Sequence, residues 1–115
     1  MLTILPLSED DLDYRVYLLN NNEIAPYLNI SETFTVEKTK DWFKKRDLNA
    51  RFDCVFKEGE HSIGMAGLTH ISPQNRNAEL YIYIDPRFQG KGLGKRSLCE
   101  ICNYGFENLG LYKIY

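Results

Sequence analysis

The chain has 115 residues, 43% of them apolar and 26% charged, and no run approaches the ~20 apolar residues of a membrane helix, which excludes disorder, collagen-like repeats and a membrane span. This length supports one domain, residues 1–115, with a core that needs no disulfide staples. The net charge of −2 divides unevenly: residues 1–34 carry six acids, Glu9, Asp10, Asp11, Asp13, Glu23 and Glu32, against Arg15 alone, whereas Arg87, Lys91, Lys95 and Arg96 cluster with no acid between them, a pattern suited to a discrete anion site and not to a nucleic-acid or membrane surface.

In chain order, Leu2 to Leu7 reads as a short strand closed by Pro6. Ser8 then caps a helix whose first turn holds Glu9, Asp10 and Asp11 and whose apolar stripe is Leu12, Val16 and Leu19. Asn20-Asn21-Asn22 ends it, and a loop with Pro26 follows. Thr35 caps a second helix from Val36 to about Arg46, which reads as a lid-like surface helix because Trp42 and Phe43 are its large apolar residues. From Arg51 the period becomes strand-like: Phe52, Cys54 and Phe56 alternate, and Glu58-Gly59-Glu60 makes a hairpin turn. Ser62 to Ile71 is the returning strand, with Gly64 and Gly67 suggesting a bulge, and Ser72 to Asn75 is a turn. Ala78 to Ile84 alternates most cleanly, with Ala78, Leu80, Ile82 and Ile84 on one face and Glu79, Tyr81 and Tyr83 on the other. Asp85-Pro86 stops it. After a glycine-rich turn a helix runs from about Gly92 to Asn108, its apolar positions being Leu98, Ile101, Cys102, Phe106 and Leu109. Leu111 to Tyr115 begins a further strand. The order β-α-α-β-β-β-α-β predicts an α+β or mixed α/β fold with helices on both faces of a central sheet, and the last helix makes its flanking strands candidates for parallel pairing.

Three cysteines cannot all pair within the chain, and the amino terminus meets Pro6 and acids too early for a signal peptide, so the expected compartment is the cytoplasm. Cys99 and Cys102 form a C-x-x-C, but they fall on successive helical turns with no second pair and no paired His, so they are assigned to packing and no metal is expected. The chemistry lies in Asp85 to Lys95. A glycine-rich turn opening a helix aims several backbone N–H groups into one concavity, and the helix dipole adds positive potential there, so phosphate is the natural ligand. The P-loop pattern fails because Gln89 stands where its first glycine belongs and Arg96 follows Lys95. The dinucleotide pattern fails too, since counting from Gly90 ends at Lys95 and from Gly92 at Ser97.

The pattern that fits is [QR]-x-x-G-x-[GA], here Gln89-Gly90-Lys91-Gly92-Leu93-Gly94. It resembles the pyrophosphate loop of the GCN5-related N-acetyltransferases (GNAT). Arg76 to Leu80, Ile84-Asp85-Pro86, Tyr104-Gly105-Phe106 and Leu111 to Tyr115 are similar to the branch acting on ribosomal-protein N-termini, polyamines and amino sugars. The resemblance implies the acyl-CoA N-acyltransferase fold, a mostly antiparallel central sheet, and acetyl-CoA as co-substrate. It implies that the amides of Gln89, Gly90, Lys91, Gly92, Leu93, Gly94 and Lys95 hold the CoA pyrophosphate. The backbone of Tyr83, Ile84 and Asp85 would pair with the pantetheine arm, and the Ile84 amide would polarise the thioester. Glu79, sharing a face with Tyr81 and Tyr83, is the expected base, directly or through water. The acceptor stays open between a protein N-terminus, a polyamine and an amino sugar. No residue is assigned as the acid, because family members carry it on a helix beyond the strand that begins at Leu111. The chain is therefore expected to be truncated at its carboxyl end, with an exposed last strand through which copies would associate. A CoA-binding or interaction module without turnover is the alternative reading, and a nucleotide-binding regulatory domain a third.

Overall fold

In the computed structural model, which describes residues 2–21, 34–90 and 92–115, each expected element is found, and the order of strands and helices is the expected one. The loop with Pro26, along with Asn22, Glu23, Glu32 and Lys91, lies outside the described residues. Five strands form one sheet in the order β1-β2-β3-β4-β5: β1 (Leu2–Pro6), β2 (Phe52–Glu58), β3 (His61–Ser72), β4 (Asn77–Ile84) and β5 (Lys113–Ile114). The first four pair antiparallel with one another. Beyond α3 (Leu93–Asn108) the chain returns to set β5 parallel to β4, pairing Asn77 with Lys113 and Ala78 with Ile114.

Strand alternation divides the apolar residues between two cores. Cys54, Phe56, Ala66, Leu68 and Ala78 face α3, meeting Leu93 and Ile101. On the other face Val55 and Met65 meet Leu7, Leu12 and Leu18, with Trp42 and Phe43 packed against them. Those contacts come from α1 (Leu12–Leu19) and α2 (Val36–Lys45). Glu9–Asp11, expected as the first turn of this helix, form a 3-10 turn leading into α1 and capped by Ser8, whose backbone N–H and hydroxyl both donate to Asp11 Oδ2, at 2.9 and 3.1 Å. Thr35 caps α2 by accepting the Lys38 N–H on Oγ1 at 3.2 Å.

Two expectations are corrected. The inward face of α1 is Leu12, Arg15, Leu18 and Leu19, Val16 being half-buried, because a hydrogen-bonded arginine can take a core position. The inward face of α3 is Leu93, Ser97, Ile101 and Gly105, while Leu98 and Phe106 are 40% and 44% exposed. Small residues mark that contact because the helix lies close: a Cβ on Gly105 would come within 2.8 Å of Ile114 and 2.9 Å of Leu68. A bulge does fall beside one of the β3 glycines: Phe56 pairs with Gly64 and Lys57 with Ser62, so Ile63 is the extra residue on β3. A second register shift lies between Thr69 and Ser72, while Gly67 keeps regular register and leaves room for the ring of Tyr81 on the paired strand.

Candidate functional site

The turn after β4 is built from its first residue. Asp85 is fully buried, accepts the Arg87 backbone N–H on Oδ1 at 3.0 Å and thereby caps the short turn Pro86–Phe88. Its carboxylate also accepts from Arg87 Nη2 at 2.7 Å and from the Tyr14 hydroxyl on α1 at 2.9 Å. Burial alone pushes the Asp85 carboxyl up, but the Arg87 and Tyr14 hydrogen bonds outweigh it and hold the group below the ordinary carboxylate range. The Tyr14 hydroxyl is pushed upward, first by burial and then by that carboxylate. Gln89 Nε2 reaches back to the Ile84 carbonyl at 3.4 Å, tying the turn to the strand end.

Gly90 and Gly92 follow with φ of 85° and 73°, the left-handed region that favours glycine. A Cβ on either would meet nothing within 4 Å, so the space before the turn is open. The first intrahelical bond of α3 runs from Arg96 N to Gly92 O at 3.2 Å. The N–H groups of Leu93, Gly94 and Lys95 therefore have no acceptor within the helix and point out of its amino end with the positive end of the dipole. The space holds no bulkier neighbour at Gly94, where a Cβ would make only ordinary contact with Ile84 Cγ1, at 3.6 Å.

The strand edge beside this turn has a definite polarity. Asp85 N donates to Ile63 O at 2.8 Å on β3, whereas Leu80 N donates to Tyr115 O at 3.1 Å on the β5 side. Antiparallel alternation then sends the N–H groups of Tyr81 and Tyr83 to β3, and those of Ile82 and Ile84 to the β5 side. Of the three residues expected to pair with the pantetheine arm, Tyr83 and Asp85 thus turn their N–H groups to β3. Only the Ile84 amide of the three faces away from β3, because the other two N–H groups are consumed by the ladder.

Glu79 stands on the opposite side chain face with Tyr81 and Tyr83, whose rings lie 5.4 Å apart. Its side chain is 62% exposed and meets His70 Nδ1 at 3.0 Å. Five strand steps, about 16 Å, separate it from Ile84, so proton traffic between the two would run through water. Tyr81 is not a free hydroxyl: it donates to the buried Asp53 and accepts from Arg15 Nη1 at 2.9 Å, and burial pushes its ionisation upward. Tyr112 and Tyr115 are exposed beside β5. Cys99 and Cys102 sit on successive turns of α3 as free thiols, and burial pushes the Cys102 thiol up.

Sequence reasoning missed the side-chain role of Asp85, its Tyr14 partner and the whole Asp53 group. The signal for the first was present in Asp85-Pro86-Arg87, since an Asp before a turn accepts the N–H two residues on.

The sequence model of the acetyltransferase (GNAT) domain matches residues 1–115. A spermidine N(1)-acetyltransferase of Escherichia coli K12 is 35% identical over 112 residues, covering 96% of this chain. The chain spans only 60% of that relative's length. The crystal structure of spermidine N-acetyltransferase from Vibrio cholerae in complex with CoA and spermine superposes with a TM-score of 0.90 at 30% identity, covering 98% of this chain and 68% of that one. A dodecameric structure of spermidine N-acetyltransferase from Vibrio cholerae gives a TM-score of 0.82 at 28% identity, covering 98% of this chain and 67% of that one.

Proposed function

The chain belongs to the GNAT acetyltransferase family, and from that premise we propose that it transfers an acetyl group from acetyl-CoA to a primary amine, with a polyamine as the acceptor. The observation that carries the reading is the adjacency of two backbone features: the Ile84 amide, turned away from β3, and the open left-handed turn that follows it at the amino end of α3.

The amides of Gly90 and Gly92 to Lys95 suit the CoA pyrophosphate, which would replace water on the Leu93, Gly94 and Lys95 N–H groups that the helix cannot satisfy, whereas the Gln89 N–H, named for the same role, donates to the Pro86 carbonyl at 3.4 Å. Lys91, named for the same role, lies outside the described residues. The pantetheine arm would lie along the β5 side of β4, bringing the thioester oxygen to Ile84 N–H. A neutral amine nitrogen then attacks the carbonyl carbon. The oxyanion that forms accepts the Ile84 hydrogen bond, the C–S bond breaks, and the CoA thiolate leaves. The amine proton passes through water towards Glu79. The thiolate takes its own proton from solvent.

Two facts favour a polyamine over the other acceptors. The relatives named above act on spermidine, and the first 34 residues carry a strong acidic excess that attracts a polycation. The dodecamer described for the Vibrio cholerae enzyme extends the proposal to self-association of this chain, to be read by light scattering.

Release of CoA thiol from acetyl-CoA, measured with spermidine, an amino sugar and a peptide amino terminus, tests the assignment. Release with spermidine and not with the others is expected. CoA binding with no release for any amine would leave a CoA-binding module and refute the transferase.

A further inference from the structure

At the end of the sheet opposite Gln89–Lys95, a cavity of about 700 Å³ opens between the α2–β2 connection, the 72–76 turn and residues 109–111. Seven strand steps separate the two ends of β4, about 23 Å, so this cavity is distinct from the acetyl-CoA site. Its apolar wall includes Leu48, Phe52, Ile71, Tyr104 and Leu111, with the Phe52 and Tyr104 rings stacked at 4.2 Å. Among its lining residues Asp53 is the one acid, against Arg46, Arg51 and Arg76.

The charges do not balance. The Asp53 side chain is wholly buried and accepts from Arg46 Nη1 at 3.1 Å, from Arg51 Nε at 2.8 Å, from Arg51 Nη2 at 2.7 Å and from the Tyr81 hydroxyl. Arg15 joins the group through Tyr81, and the guanidinium carbons of Arg15, Arg51 and Arg46 lie 4.3, 4.9 and 5.5 Å from the centre of the Trp42 ring. Three guanidinium groups thus share one carboxylate. Donors also remain over. Arg46 spends Nε on the Phe43 carbonyl and Nη1 on Asp53, leaving Nη2, and Arg51 has Nη1 left. Arg76 spends Nε on the Gly110 carbonyl at 2.9 Å and keeps both Nη groups. Arg46 is nearly buried, Arg51 partly exposed and Arg76 exposed, so their spare N–H groups are open to an incoming oxyanion, and the planar guanidinium fork matches carboxylate and phosphate oxygens alike.

We propose that this cavity binds a small organic anion, its carboxylate or phosphate head on Arg46, Arg51 and Arg76 and its apolar body against Phe52, Tyr104 and Leu111. Such a ligand neutralises the cation excess where the end of α2 meets the sheet, and so fixes the helix that carries Trp42.

Trp42 is the chain's single tryptophan and reports on the site through Arg46 and Arg51, whose guanidinium groups lie against its ring. Its emission is titrated with phenylacetate, phenyl phosphate, inorganic phosphate and benzylamine, with and without saturating CoA. A saturable change is expected with phenylacetate or phenyl phosphate, whichever head is preferred, with little response to inorganic phosphate or benzylamine and the same midpoint when CoA is bound. Leu48 is 71% exposed at the rim, so its replacement leaves the fold intact. Leu48→Asp should weaken the anion about fivefold and Leu48→Lys should tighten it, by placing a charge near the mouth. The proposal is overturned by no saturable change up to ~10 mM of either aromatic anion. It is overturned equally by an affinity indifferent to the charge at position 48, by benzylamine binding as well as the anions, or by competition with CoA.

Discussion

Replacing Gly92 by valine separates the fold's need for a left-handed residue from the ligand's need for space. Gly92 sits at φ 73°, ψ 6°, where a β-branched side chain costs about 1–3 kcal/mol. A Cβ there meets no protein atom within 4 Å, so backbone strain and not a clash sets the cost in the free protein. For a domain of about 100 residues each kcal/mol lowers the thermal midpoint by about 4–8 °C, a loss a folded protein survives. Towards CoA the effect is larger, because the valine methyls project into the open space before Leu93, Gly94 and Lys95. Losing one charge-assisted hydrogen bond, worth about 1.5–3 kcal/mol, lowers affinity at least tenfold. Calorimetric titration with CoA beside a thermal melt reads both quantities, and Gly92→Ala, with the same φ and less bulk, should fall between. A folded Gly92→Val protein that binds CoA as tightly as the parent would refute the placement of the pyrophosphate.

Two further outcomes follow from the buried titratable groups. Burial pushes the Asp53 carboxyl up, but the Arg51 and Tyr81 hydrogen bonds more than reverse this and leave it below its ordinary 3.8. The depressed group contributes stability that is complete above that ordinary value and lost as pH falls through it towards the lower folded value. Urea unfolding between pH 7 and pH 3 should therefore show a decline in acid that Asp53→Asn flattens, while Asp53→Asn costs about 3 kcal/mol at pH 7 by leaving Arg46 and Arg51 without a counter-charge. An unchanged acid limb in that variant would remove Asp53 from the account. For the thiols, burial pushes Cys54 up to about 12, whereas Cys99 is exposed. An aromatic disulfide reagent should modify Cys99 promptly in the native protein and Cys54 only on unfolding, and rapid native modification of Cys54, read by peptide mass, would contradict the packing of β2.

The parts of the fold that were legible are those where one residue's chemistry acts on its own backbone. Alternation marked β2 and β4, Thr35 announced α2, and Asp85-Pro86 with three nearby glycines located the turn and the helix that holds its N–H groups. What stayed hidden depends on partners distant in sequence. Arg15 reads as a polar interruption of α1 until Tyr81, 66 residues on, is brought to its guanidinium. Ser97 and Gly105 look like gaps in an apolar stripe, because closeness of approach has no hydropathy signature. Which amides of β4 stay unpaired depends on the Ile63–Asp85 bond, a matter of register that side-chain types do not encode.

The parity of β4 has an evolutionary consequence. Under the proposed chemistry the group that activates the thioester is a main-chain N–H, which every residue except proline supplies, so drift at position 84 leaves it in place. The even positions of the strand answer to α3 and the odd ones to α1 and α2. Under that reading a lineage could retune positions 79 and 83 while the side chains at 80, 82 and 84 answer to a separate demand, packing against α3. One strand is thus free to diversify on one side and bound to conserve on the other.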